Sequence, residues 1–134
     1  MFRRISQKDI EDIKTPYEAY SYAFDMGKPV PELEDMIAQS PGWSYWYARD
    51  VIKGRFEKGE NIIAQDPYLS YEYAKYVIKG KFEKGENIIA QNAYWGYAYA
   101  RDVIKGRFEK GEDVIAQDPK LSERYAKEFG LEEF

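Results

Sequence analysis

The sequence predicts an all-α protein, an α-solenoid of helix-turn-helix repeats. Three observations carry the prediction. First, Ile63, Ile89 and Ile115 mark a register of 26 residues with no gaps. A fixed period of roughly 20–50 residues is the mark of stacked repeat units. Second, helix starts and glycine stops recur inside each copy at spacings that fit two short helices. Third, the apolar residues of each copy fall on one helical stripe that a single copy cannot bury alone. Three full repeats follow, at 40–65, 66–91 and 92–117. Residues 1–39 read as an N-terminal cap with a degenerate repeat, and 118–134 as a C-terminal cap, all within one domain, 1–134.

Taken in order, Met1–Arg4 reads as a frayed end, and Ser6 as the cap of a helix over 7–14 with Ile10 and Ile13 on one face. Thr15-Pro16 supplies an N-cap and a first helical residue. The helix that follows ends at Gly27. Pro29 and Pro31 delay the next helix to about Glu32. In each full repeat a first helix opens by the same logic, as at Asp66-Pro67, and runs to the equivalent of Lys79. Gly54, Gly80 and Gly106 stand where it ends, in the place a left-handed C-cap would need. A second helix follows over 57–65, 83–91 and 109–117. Gly59, Gly85 and Gly111 fall in its first turn, where a glycine costs about 1 kcal/mol relative to alanine. Their recurrence predicts a neighbouring helix too close for a β-carbon.

At 100° per residue the core stripe of the 66–91 repeat is Ser70, Ala74 and Val77, flanked by Tyr71, Ile78 and Tyr73. Phe56, Ile62, Ile63 and Ala64, with their equivalents, close the other side. The tyrosines on this stripe are expected to be structural, with hydroxyls reaching water or backbone. The copies differ mainly on the opposite face. Gly42, Tyr68 and Tyr94 share one position; Trp46, Glu72 and Ala98 a second; Asp50, Tyr76 and Asp102 a third. Trp43 and Trp95 sit at the edge. Beside them run two basic columns, Arg49, Lys75, Arg101 and Lys53, Lys79, Lys105, with Glu57, Glu60 and their equivalents as ion-pair partners. Large outward aromatics in a solvated frame mark a contact surface.

Composition narrows the chemistry. The net charge is −4, with 5 basic and 8 acidic residues in 1–39 and 3 basic and 5 acidic in 118–134, so the ends are acidic and the middle is neutral. With no Cys and no His, disulfides, ordinary zinc sites and the usual nucleophile–base pairs cannot be built. No metal and no cofactor are expected. A paired-carboxylate hydrolase would need acids that are not triplicated, unlike Glu57 and Glu60, so no enzyme is expected. No apolar run reaches the roughly 20 residues of a membrane span, which predicts no membrane partner and a cytoplasmic protein.

The pattern Y-A-[RK]-x-V-I-K-G-[RK]-F-x-x-G-E-x-x-I-A-Q-[DN]-[PA] runs over Tyr47–Pro67, Tyr73–Ala93 and Tyr99–Pro119. It resembles short helical repeats of uncharacterised phage and phage-derived bacterial proteins, across about residues 15–129. The resemblance implies an α-helical solenoid of viral source acting in a host cytoplasm, with a host or virion protein as partner. It brings no functional residues with it.

The expected function is therefore a protein-binding module. Trp46, Tyr68, Tyr76 and Tyr94 would be anchors, with Glu72 beside them and the basic columns steering an acidic or mixed partner. Single-stranded nucleic acid is the second expectation, since stacking aromatics along a basic groove suit it. End-to-end self-assembly is the third.

Overall fold

A computed structural model describes residues 7–132 and 134. The expected Ser6 cap and the Met1–Arg4 end lie outside the described residues. The described chain is all-helical, with no strand among the described residues. Its helices gather into two compact units, 1–63 and 64–134.

The first unit holds α1 (Gln7–Asp12), α2 (Pro16–Met26), α3 (Glu34–Ile37), α4 (Pro41–Tyr47) and α5 (Glu57–Ile63). A 3-10 turn, Pro31–Leu33, leads into α3. Thr15 caps α2 by accepting from the Glu18 N–H, and Gly27 ends it at φ 72°. Ser40 caps α4 by accepting from the Trp43 N–H. Such caps contribute about 1 kcal/mol each. Ala19, Ala23, Met26, Leu33, Ile37, Tyr47, Phe56 and Ile63 form the core.

The second unit holds α6 (Pro67–Glu72), α7 (Glu83–Ile89), α8 (Ala93–Tyr99), α9 (Glu112–Ala116) and α10 (Pro119–Glu128). Asp66, Asn92 and Asp118 cap α6, α8 and α10 through Leu69, Trp95 and Leu121. Helix α8 packs against both α6 and α10. Tyr73, Ala74, Phe82, Ile89, Tyr99, Ala100, Phe108, Ile115 and Tyr125 fill the core.

The close approach expected at the glycines of the second helices is present at Gly59 and Gly85. A β-carbon on Gly59 would lie 2.7 Å from Ser44 Cβ, and one on Gly85 would lie 2.7 Å from Ser70 Cβ. Gly111 differs: an added β-carbon there meets its own repeat's Phe108 at 2.8 Å, and Ala90 Cα only at 3.7 Å.

The end of each first helix departs from expectation. The α-helix stops early, and a π-helical turn follows at Ala48–Ile52, Tyr73–Ile78 and Ala100–Ile104. The Ala74 carbonyl accepts from both Lys79 N–H (2.7 Å) and Gly80 N–H (3.1 Å), and Ala100 does the same for Lys105 and Gly106. The left-handed residue is the lysine: Lys53, Lys79 and Lys105 sit at φ 61°, 61° and 59°. Gly54, Gly80 and Gly106 do not take that conformation. The lysines expected on the first-helix face are thus its C-caps. The wider turn also breaks the 100° arithmetic, because i→i+5 bonding inserts an extra residue per turn. Ile52, Val77, Ile78, Val103 and Ile104 are half-exposed rather than core, whereas Val51 stays buried.

A left-handed lysine carries a steric cost of roughly 1–2 kcal/mol that glycine lacks, partly offset by glycine's floppier unfolded chain. Lys79→Gly should therefore raise stability by roughly 0.5–1 kcal/mol, while Lys79→Ala should be neutral. Denaturant titration reads both. A Lys79→Gly variant less stable than Lys79→Ala would remove the left-handed assignment.

Candidate binding face

Two systems of side chains organise each unit, and only one of them faces outward. The inward one is built on tyrosine and glutamate. Tyr47 OH donates to Glu34 Oε2 (2.7 Å) and accepts from the Val30 N–H (3.0 Å). Tyr99 OH donates to Glu86 (2.7 Å) and accepts from Phe82 N–H (3.0 Å). Tyr125 OH donates to Glu112 (2.5 Å) and accepts from Phe108 N–H (2.8 Å). In each case the hydroxyl closes the start of a helix 13 and 17 residues upstream. The same tyrosines pack edge-on against phenylalanine, Tyr47 on Phe56 and Tyr99 on Phe108.

Of the glutamates expected as exposed partners of the basic columns, Glu57, Glu83 and Glu109 are exposed, but Glu60, Glu86 and Glu112 are not, and for these the expectation is corrected. Glu60 is 1% exposed and Glu86 8%. A carboxylate so placed must find donors, and the turn supplies them. Arg55 grips Glu60 through Nε and Nη2 at 2.8 and 2.9 Å, and Arg107 grips Glu112 the same way at 2.8 and 2.7 Å. The Arg107 guanidinium and the Tyr125 hydroxyl lower the pKa of Glu112 against its burial. The tyrosine hydroxyls likewise reach carboxylates as well as backbone, which the expectation of water or backbone partners omitted.

The outward system is aromatic. In the first unit, Trp43 lies between Tyr17 and Tyr20, with both ring centroids 5.0 Å away. Tyr20 OH donates to Asp50 at 2.9 Å. In the second unit, Trp95 lies between Tyr68 (4.9 Å) and Tyr71 (5.2 Å), and Tyr71 OH donates to Asp102 at 2.5 Å. The ring planes repeat too: 51° and 32° in the first cluster, 51° and 37° in the second. The same four-residue cluster is built twice. Tyr94 adds a further ring edge-on to Trp95 at 4.7 Å.

Charges are tied into the clusters. Arg101 holds Asp102 through two bonds of 2.7 and 2.8 Å. That guanidinium, with help from Tyr71 and Lys75, holds the Asp102 carboxyl down to about 2 against the effect of burial. Lys75 Nζ lies over the Tyr71 and Tyr76 rings, 5.6 and 5.1 Å from their centroids. Arg49 stands over Trp46 at 5.4 Å and donates to Tyr45 OH.

Of the expected anchors, Trp46, Tyr68, Tyr76 and Tyr94 are exposed, by 40, 45, 40 and 50%. Glu72 is half-buried. Ala98, expected outward beside it, is 1% exposed, because α8 has helices on two sides. Asp50 and Asp102 are half-buried hydrogen-bond acceptors, not interchangeable outward inserts. Arg49, Lys75 and Arg101 lie against aromatic rings, and Lys53, Lys79 and Lys105 are exposed.

Sequence reasoning missed Tyr17 and Phe24, which are 55 and 53% exposed, and left Trp43 and Trp95 undecided. A signal was there to read. Trp43 and Trp95, Arg49 and Arg101, and Asp50 and Asp102 are each 52 residues apart, while the repeat between them has Leu69, Lys75 and Tyr76. The true period of the aromatic cluster is two repeats. Among the described residues no group of His, Cys, Asp or Glu has the arrangement of a metal site, and no helix is long and apolar enough to cross a membrane. Comparison of the chain with protein-family models, with curated proteins and with solved structures finds no match.

Proposed function

We propose that this chain is a non-catalytic protein-binding module, an α-solenoid whose first helices present aromatic anchors to a partner. The observation that carries the reading is the cluster of Tyr68, Tyr71 and Tyr94 around Trp95, three rings each packed on the indole, with Tyr68 and Tyr94 about half exposed. Rings held by neighbours lose little entropy on binding, and Tyr and Trp anchors dominate interface energies. Trp46, with Arg49 stacked on it, is the corresponding anchor in the first unit. The exposed Lys79 and Lys105 would steer an acidic or mixed surface. A viral source, with a host or virion protein as the partner, fits the repeat pattern.

A pull-down from a bacterial lysate, with and without nuclease, tests this. The bait is wild type or a Trp46→Ala, Tyr68→Ala, Tyr94→Ala triple variant. A protein retained after nuclease and lost with the variant is the expected result. Capture that vanishes with nuclease would replace this reading with single-stranded nucleic-acid binding, whose affinity should fall log-linearly with salt. Capture by both baits alike would remove the aromatic face from the account.

A further inference from the structure

We infer that copies of this chain bind one another head to tail, the basic face of α10 in one copy seated on the acidic face of α2 in the next. The inference goes beyond the binding-module reading and uses side chains other than its aromatic anchors.

The way consecutive first helices pair inside each unit supplies the register. In the second unit α6 and its π turn face forward with Tyr68, Tyr71 and Lys75, which stand one, four and eight places after Pro67. The following α8 and its π turn answer with Trp95 and Asp102, two and nine places after Ala93. Tyr68 packs on Trp95 at 4.9 Å, Tyr71 OH donates to Asp102 at 2.5 Å, and Lys75 Nζ lies 3.8 Å from Asp102 Oδ2. In the first unit α2 faces forward in the same way, with Tyr17 and Tyr20 on Trp43 and Tyr20 on Asp50.

The outermost first-type helices among the described residues, α2 and α10, carry charges at those positions. On α10, Lys120, Glu123 and Lys127 stand one, four and eight places after Pro119, where a following helix would be met. With Arg124 they line one open groove. On α2, Glu18 and Asp25 stand two and nine places after Pro16, where a preceding helix would be met. They line a second groove with Asp12, Tyr17 and Ser21, and every charged residue lining it is acidic. Asp12, Glu18, Asp25, Lys120, Arg124 and Lys127 are all exposed. Set in the register seen inside the units, Lys120 of one copy meets Glu18 of the next, as Tyr68 meets Trp95. Lys127 meets Asp25, as Lys75 meets Asp102. Glu123 falls near Asp25, but Arg124 and Lys127 lie beside it on the same helix and outweigh that one like-charge contact. Capping for solubility asks only that an outer face be polar, whatever its sign. Opposite signs at positions that would meet add attraction in one orientation, and two α2 faces or two α10 faces repel. Because the two faces differ, each copy can accept one neighbour and offer itself to another.

The test is the mass of the full chain in solution, by sedimentation at low salt. Wild type should climb above the 15.8 kDa of one chain as its concentration rises. High salt should return it to that mass, since exposed charges are screened. Two variants reverse one face each: Lys120→Glu with Lys127→Glu, and Glu18→Lys with Asp25→Lys. Each alone should associate about tenfold or more weakly than wild type. Mixed, they should associate again, because the reversed face of each fits the other. Glu18 also accepts from Thr15 Oγ1 at 3.0 Å. Asp25→Lys alone, mixed with Lys127→Glu alone, therefore repeats the exchange with that bond intact, and circular dichroism and denaturant midpoint confirm that every variant folds. A wild type that keeps the mass of one chain at low salt overturns the inference. So does association that the reversals leave unmoved, or reversed variants that do not recover on mixing. The readout is mass rather than capture, so failure here leaves the aromatic-face reading to its own pull-down.

Discussion

As pH rises from about 10 towards 12 the protein should lose stability and unfold cooperatively. Burial first, and the hydrogen bond to a carboxylate second, push Tyr20, Tyr71 and Tyr125 up to about 12. The same causes raise Tyr47 and Tyr99, partly opposed by the backbone N–H that each hydroxyl accepts. The unfolded chain titrates near 10.0. A raised folded pKa means the folded state holds its proton more tightly. The stability this confers is complete below pH 10 and is lost as pH rises through 12. The limiting slope is about 1.4 kcal/mol per pH unit for each tyrosine. Solvent screening reduces each share. Even at half that slope, five tyrosines would remove several kcal/mol of the ~5–15 kcal/mol a domain typically has. Phenolate absorbance and circular dichroism followed together should show one joint transition. A smooth titration of all 13 tyrosines near pH 10, with helicity retained to pH 12, would show that the hydroxyl–carboxylate pairs contribute nothing.

Gly59→Ala should cost roughly 1–3 kcal/mol despite alanine's better helix propensity. The new β-carbon would sit 2.7 Å from Ser44 Cβ and 2.8 Å from the Phe56 ring. Ser44 Cβ is attached to the backbone, so relief requires α4 and α5 to move apart. Ser44→Gly alone should cost about 1–2 kcal/mol, from helix propensity and from the lost bond of Ser44 Oγ to the Ile37 carbonyl (3.1 Å). The double variant should be less destabilised than the two singles added together, because removing Ser44 Cβ opens the space that the new methyl needs. Strict additivity by denaturant titration would show that the two helices are not in limiting contact at this point.

How much of this was legible depends on whether the governing contact is local. Thr15, Pro16 and Gly27 mark a helix by short-range rules, and the helix lies where they put it. Gly59 announced a close approach because only proximity explains a recurrent glycine inside a helix. The π turns were not legible. Nothing in A-R-D-V-I-K-G breaks an α-helix, and Gly54 offered itself as the left-handed residue where Lys53 takes the role. Val77 and Ile78 left the predicted stripe, while Val51 in the equivalent turn stayed on it. On the candidate face, exposed Tyr68 and Tyr94 followed from α-helical spacing, because they precede the π turn. Asp50 and Asp102 lie inside it, and spacing could not say that they accept from Tyr20 and Tyr71, some thirty residues upstream. Glu60 looked like a surface charge because burial of a carboxylate is never readable without its donors.

The tyrosine–glutamate closures also bear on how fast the chain can acquire its structure. Each of Tyr47, Tyr99 and Tyr125 reaches its glutamate across 13 residues and its backbone N–H across 17. Bringing two points together over so short a stretch takes on the order of 10–100 ns, and proteins dominated by near neighbours along the chain fold in microseconds to milliseconds. The buried polar pairs are therefore early gains, available as soon as a tyrosine-bearing helix meets the helix just made before it, and on a ribosome each closure needs only the residues already synthesised.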